Sequence, residues 1–249
     1  MLNQTLVEKL SALLEAERFR DYAPNGLQVE GKKDIRRIIT GVTASLALIE
    51  EAKKRGADAV LVHHGWFWKS DSPCLTGIRR SRAKAVLEAD LNLIAYHLPL
   101  DAHPTLGNNA QLAVKLGLEP VSRWGEYELG WLGEVAGGPV SASDFALKAE
   151  RVLARKPLLV GDPNRPVRRV AWCSGAAQRE FEEAIGEGAD LYLSGEISEP
   201  TFHLARETGV PYLACGHHAT ERFGIQALGG WIRENLGLEV EYVEVENPV

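Results

Sequence analysis

Residues 36–64 and 168–196 align without a gap, and ten of their 29 positions are identical. The identities include Gly56-Ala57-Asp58 against Gly188-Ala189-Asp190. Each copy opens on a short apolar run, Ile38-Ile39 or Val170-Ala171-Trp172. It continues through a helical spacing, Leu46, Ile49 and Ala52 or Phe181 and Ala184. It closes on a second apolar run, Ala59–Val62 or Leu191–Leu193. Strand, helix and strand in that order predict a βαβ unit, hence parallel strands joined by a right-handed crossover. The correspondence resumes further on. With His97 set on His217, Leu93–Tyr96 lies against Leu213–Gly216, Asp101 falls on Glu221, and Leu116–Glu119 falls on Leu236–Glu239. The chain therefore reads as an α/β protein of two similar βαβ-based domains related by internal duplication. The first copy carries extra residues around Phe67–Arg82, rich in Ser, Asp, Pro and Gly, which read as a loop.

Between the copies, Leu129–Val135 and Leu158–Val160 read as strands and Phe145–Leu153 as a helix. Ser141 or Ser143 is its N-cap, and Gly137-Gly138-Pro139 marks a turn. The domains are drawn at residues 1–125 and 126–249. The C-terminal segment, from about 212 to 249, is open to packing with the first, because a strand over Val240–Val245 could pair with either sheet. At the other end, Leu6, Leu10, Leu13 and Leu14 fall on one side of an amphipathic helix. Glu and Lys through its middle set it apart from a secretory leader.

Several function classes fall away on composition. The net charge is −6, which disfavours a protein that coats nucleic acid. The Arg36–Arg37, Arg79–Arg80–Arg82 and Arg165–Arg168–Arg169 groups read as solvated surface. Cys74, Cys173 and Cys215 are odd in number and far apart, so they form neither a zinc ribbon nor a disulfide framework and fit a reducing cytoplasm. No run of 18 apolar residues spans a membrane.

Chemistry concentrates where the apolar runs end. His63-His64-Gly65 follows Ala59–Val62, at the carboxyl end of a parallel strand, where α/β proteins bind ligands. Successive strand residues point to opposite faces. Both imidazoles are thus expected to meet only if the strand has ended, with Gly65 permitting the turn. His97-x3-Asp101 follows a second run; Pro99 argues for a loop there. His217-x3-Glu221 follows a third, one helical turn apart if His217 begins a helix. Imidazole and carboxylate together suit zinc, iron, manganese or nickel, and a carboxylate can bridge two cations about 3.5–4 Å apart. The expected ligands are His63, His64, Asp101, His217 and Glu221, for two divalent ions in a cleft between the domains. His97 is either a sixth ligand or a group that orients one. His97 and Glu196, the repeat partner of His64, are the candidates for moving protons. His218 is expected to point away or line the rim, and His103 and His203 to lie at the surface or behind the ligands.

These residues resemble the Nif-three-like dinuclear metal-centre family, whose bacterial members are named GTP cyclohydrolase 1 type 2 homologs. The resemblance covers nearly the whole chain. It rests on Ala23–Gly31, Val62-His63-His64-Gly65, Tyr96–Asp101, Gly107-Asn108-Asn109, Ser194-Gly195-Glu196 and Gly216–Glu221. Position by position it places the family's metal ligands on the five residues named above. It also implies a ring-shaped homohexamer with metal sites facing an internal cavity; Trp66, Phe67 and Trp68 suit a cleft wall or a contact surface. Two functions remain open. One is a metal-dependent hydrolase acting on a small molecule or nucleotide. GTP ring opening is suggested by the family name alone, for neither GxxxxGK[ST] nor a GxGxxG after a strand is present. The other is a non-catalytic metal-binding ring that engages protein or DNA.

Overall fold

Short apolar runs separated by glycine and polar turns become strands; longer periodic stretches become helices. The structure, a computed structural model, describes residues 1–249. In chain order the first elements are α1 (Asn3–Leu13), β1 (Gly26–Val29), β2 (Arg37–Thr43), α2 (Leu46–Lys54), β3 (Ala59–His64), α3 (Gly77–Glu88), β4 (Asn92–Ala95) and α4 (Leu98–Ala102). Then come α5 (Asn108–Leu116), β5 (Leu118–Trp124), β6 (Gly130–Val135), β7 (Val140–Ser141), α6 (Ala142–Leu153), β8 (Leu158–Val160) and β9 (Pro166–Val167). The last are β10 (Arg169–Trp172), α7 (Phe181–Gly186), β11 (Leu191–Ser194), α8 (Glu199–Thr208), β12 (Tyr212–Ala214), α9 (His217–Leu236) and β13 (Glu239–Tyr242). No helix is long and apolar enough to cross a membrane.

Two compact units emerge. One comprises residues 1–107 and 224–246, the other residues 108–223 and 247–249. The first holds a sheet of order β1-β4-β3-β2-β13. Strands β2, β3, β4 and β13 are parallel and β1 is antiparallel. Alternation sends neighbouring side chains to opposite faces. Ile38, Leu61 and Ile94 join Leu6 and Leu10 of α1 and Ile225, Leu228 and Ile232 of α9. Ile39, Val60 and Leu93 pack with Leu48 and Ile49 of α2 and Val86 of α3. The C-terminal strand pairs with β2, so chain ends from far apart in sequence complete one sheet.

The second unit holds a sheet of order β5-β6-β10-β11-β12-β8, with β10, β11 and β12 parallel and the others antiparallel to their neighbours. A two-stranded ribbon of β7 and β9 accompanies it. Val170, Trp172, Leu191 and Leu193 face Phe145, Ala149 and Leu153 of α6. Tyr192 and Tyr212 on the other face meet Phe181 of α7. Ser141 caps α6, its hydroxyl accepting the Asp144 N–H at 3.0 Å.

The two βαβ units, β2–α2–β3 and β10–α7–β11, share a local device. Asp58 Oδ2 accepts the backbone N–H groups of Arg36 (2.9 Å) and Arg37 (3.1 Å), and Asp190 Oδ2 accepts those of Arg168 (3.0 Å) and Arg169 (2.9 Å). In both units the Gly-Ala-Asp turn thereby clasps the start of the preceding strand.

Three local expectations change. Residues 77–82 are not loop but the first half of α3; only Ala83, Ala85 and Val86 of that helix are buried, so its apolar periodicity is faint. Pro99 does not exclude a helix, because it sits in the first turn of α4, where its missing N–H would have had no intrahelical partner. Strand β3 runs through His64 rather than ending before the pair. Gly65 serves space rather than a turn: a Cβ there would lie 2.3 Å from Gln28 Oε1 and 2.6 Å from Ala95 Cβ.

Candidate metal centre

The first unit gathers three histidines. His63 and His64 end β3, and His97 stands between β4 and α4. Their ring centroids lie 4.5 Å (His63–His64), 5.1 Å (His63–His97) and 5.7 Å (His64–His97) apart. One nitrogen from each falls in a group whose members are all within 4.8 Å of one another, close enough to share a cation. Asp101, buried on α4, brings Oδ1 to 3.5 Å from His63 Nε2.

Each ring is fixed through Nδ1. His63 Nδ1 donates to the Tyr96 carbonyl at 3.0 Å, and His64 Nδ1 lies 3.3 Å from Thr43 Oγ1. His97 Nδ1 donates to Asp21 Oδ1 at 2.7 Å. A carbonyl or carboxylate only accepts, so His63 and His97 carry their proton on Nδ1. In the neutral rings the Nε2 lone pair is then the one available to a metal. Asp21 is itself held, accepting the N–H groups of Tyr22 and Leu98 and the Asn25 amide. Burial alone would raise its pKa. The hydrogen bond and charge of His97 outweigh that, with help from Asn25 and the Tyr22 N–H, and keep the carboxyl below its usual range.

The second unit gathers His217 and Glu221 on the first turns of α9, with Glu196 after β11. His217 Nδ1 meets Glu196 Oε1 at 2.8 Å, and His217 Nε2 meets Glu221 Oε2 at 3.1 Å. Burial would lower the pKa of His217. The hydrogen bond and charge of Glu221, then those of Glu196, raise it instead to about 9. A cation held by His217 and Glu221 would compete with the proton on His217. Glycine is required beside this pair, since a Cβ on Gly175 would lie 2.1 Å from Glu221 Oε1. Gly175 N–H is held by Thr220 Oγ1 at 3.0 Å, and Ser194 Oγ donates to the Gly175 carbonyl at 3.1 Å.

The ligands expected from sequence are divided between the units by chain position: His63, His64 and Asp101, with His97, belong to one, and His217 and Glu221 to the other. Glu196 touches His217 rather than standing alone as an acid. His218 is buried, with its backbone N–H on the Val249 carbonyl. His103 Nδ1 accepts the Leu106 N–H at 3.0 Å, closing a turn, and His203 is exposed on α8. Asp21 is the side chain against His97 that the sequence does not point to. Its only trace is a turn-rich stretch, Asp21–Gly26, with no spacing that ties it to His97.

The sequence profile of the family described as Duf34/NIF3 (NGG1p interacting factor 3) matches residues 1–248. The chain belongs to the Duf34/NIF3 family. Relatives include the GTP cyclohydrolase 1 type 2 homologs of Pseudomonas aeruginosa, 49% identical over 98% of this chain and 97% of that one, and of Escherichia coli K12, 48% identical over the full length of both. Among solved structures, protein ybgI, described as of unknown function, superposes with a TM-score of 0.97 at 49% identity, covering all of both chains. A protein from Thermus thermophilus follows at 0.90 and 31%, also over all of both chains. Reduced HcgD from Methanocaldococcus jannaschii reaches 0.83 at 27%, over 98% of each chain. The mixed α/β fold with several sheets is therefore that of the family.

Proposed function

We propose that this chain holds two divalent metal ions through His63, His64, Asp101, His217 and Glu221 and uses them in hydrolysis of a small molecule or nucleotide. The observation that carries the reading is the anchoring of His63, His97 and His217 through Nδ1 to an oxygen acceptor, a carboxylate for two of them. That is the arrangement metal-binding histidines use to fix their tautomer and aim Nε2. The donor set, imidazole plus carboxylate, suits zinc, iron, manganese or nickel. Such ions, when bound, polarise a scissile group and make water a nucleophile near neutral pH.

The roles of the side chains follow. Asp21 and Glu196 orient His97 and His217. His97 either completes the ligand set or, through its Asp21 pair, holds a proton near His63 and His64. Asp101 and Glu221 would supply negative charge that offsets the cations, with Glu221 the carboxylate that would serve both. Five or six protein donors for two ions leave coordination positions for water and substrate, which favours hydrolysis over a closed structural site. The shared Gly-Ala-Asp clasp and the ungapped repeat support a duplicated βαβ ancestor, with each copy contributing one His-x3-acid pair.

The test is metal analysis of protein purified without chelators, followed by a hydrolysis screen of nucleotides, amides and esters. Two metals per chain and metal-dependent turnover are expected. Two metals with no turnover on any substrate would favour the metal-binding ring that engages a partner, and no metal would overturn the assignment.

A further inference from the structure

Directly after the His63-His64 pair, the chain that the second repeat lacks folds into a cavity of about 390 Å³. That volume lies at the low end for small-molecule pockets and suits one or two rings with a substituent rather than a macromolecule. Its walls include Trp66, Phe67 and Trp68 on one side and Ile78, Arg79 and Arg82 of α3 on the other. Trp66 is pinned: its N–H donates to Gln28 Oε1 at 2.6 Å and its indole Nε1 to the Ala44 carbonyl at 2.9 Å. Phe67 adopts φ +63°, a conformation costly for an aromatic residue, and its ring stays 47% exposed. Trp68 stands edge-on to His97, centroids 5.0 Å apart, and 5.9 Å from the His64 ring. The cavity wall and the candidate metal ligands therefore share a side chain.

The cavity's charge is equally specific. Arg79 and Arg82 are three residues apart on α3 and fall on one face. Arg79 is matched by Asp71, Nη2 to Oδ1 at 2.6 Å. Arg82 Nε is buried and has no hydrogen-bond partner. Arg82 lines the cavity with no carboxylate held against it, so its guanidinium charge is the one open to an anion seated there. Aromatic faces take planar rings by stacking.

We infer that this cavity binds a small planar aromatic anion, a ring bearing a carboxylate or phosphate, with the ring against Phe67 and Trp68 and the anionic group on Arg82. On the hydrolase reading, the pocket holds the body of the substrate beside the metals. The Arg79–Arg82 cluster then belongs to recognition rather than to solvated surface.

Calorimetric titrations of the full chain, as purified and after chelation, test the inference. The probes are indole-3-carboxylate and phenyl phosphate, with indole and inorganic phosphate as controls. The ring anions are expected to bind both forms at least tenfold more tightly than either control. The tighter of the two identifies the anionic group. Phe67→Ala and Arg82→Gln should each weaken binding tenfold or more, with unchanged metal content and melting temperature. Phe67 is half-exposed and outside the core, so Phe67→Ala is a readout that does not depend on core stability. Equal binding by wild type and both variants, binding of indole as tight as that of the ring anions, or binding lost on chelation would overturn the pocket. Ring-anion binding by protein that carries no metal as purified and takes up none on addition would uphold the pocket and sink the metal reading. Two bound metals without ring-anion binding would do the reverse.

Discussion

A histidine becomes a dependable ligand only when something else holds its far nitrogen, and Glu196 and Asp21 do this for His217 and His97. Glu196→Gln is expected to weaken metal binding about 10–100-fold, the usual effect of losing such a partner, with full occupancy recovered at higher metal. A metal titration of the apo variant checks it; unchanged affinity would mean that Glu196 does not act through the ligand. His217→Ala should lose at least one metal while the far-ultraviolet spectrum stays that of the wild type. On the proposed reading, in which Glu221 would serve both ions, Glu221→Ala should cost more metal than Asp101→Asn; equal retention would remove that distinction. The ligand candidates were readable in sequence because each follows an apolar run. Asp21 was not, because a contact spanning 76 residues leaves no spacing. Gly65 stands out in the sequence as a turn former, yet its part in the structure is to leave space. Its lack of a side chain makes room for Gln28 and Ala95, a contact invisible until β1 and β4 are placed.

Elements were legible in proportion to their apolar pattern. Strands β2, β3, β10 and β11 announce themselves as hydrophobic runs, and α6 through Phe145, Ala149 and Leu153, all fully buried. By contrast α3, polar over its first half, passed for a loop. Phe145→Ala should destabilise the chain by about 3–5 kcal/mol, the cost of a large buried aromatic, read from urea denaturation; a loss below about 1 kcal/mol would show that α6 packs more loosely than described. The Gly-Ala-Asp clasp yields a pH effect. Burial alone would raise the Asp58 pKa, but Lys32 and the Arg36 and Arg37 N–H groups lower it from 3.8. A carboxyl with a lowered folded pKa stabilises above its unfolded value, and that contribution is lost as pH falls through the folded one. The melting-temperature advantage of wild type over Asp58→Asn should therefore hold near pH 6 and shrink below pH 3.8. A gap independent of pH would show that the charge is irrelevant.

For the whole molecule, bound metal should act as a stabilising ligand. Cations at about 100 times their dissociation constant contribute about 2.7 kcal/mol per site if the unfolded chain does not compete. Chelation should thus lower the melting temperature reversibly, and readdition should restore it; an unchanged midpoint would argue that the ions are not part of the folded state.

Strand β13 pairs with β2 from 201 residues further along the chain, as the Thr40–Glu241 contact shows. On a ribosome delivering about 5–20 residues per second, β2 therefore waits roughly 10–40 s for its neighbour. During that interval all of residues 108–223 emerge and can fold, so the unit that begins first completes its sheet only after the body of the other has been made. Truncation near the C-terminus would then strike the N-terminal sheet, leaving the edge of β2 unpaired and open to other nascent chains.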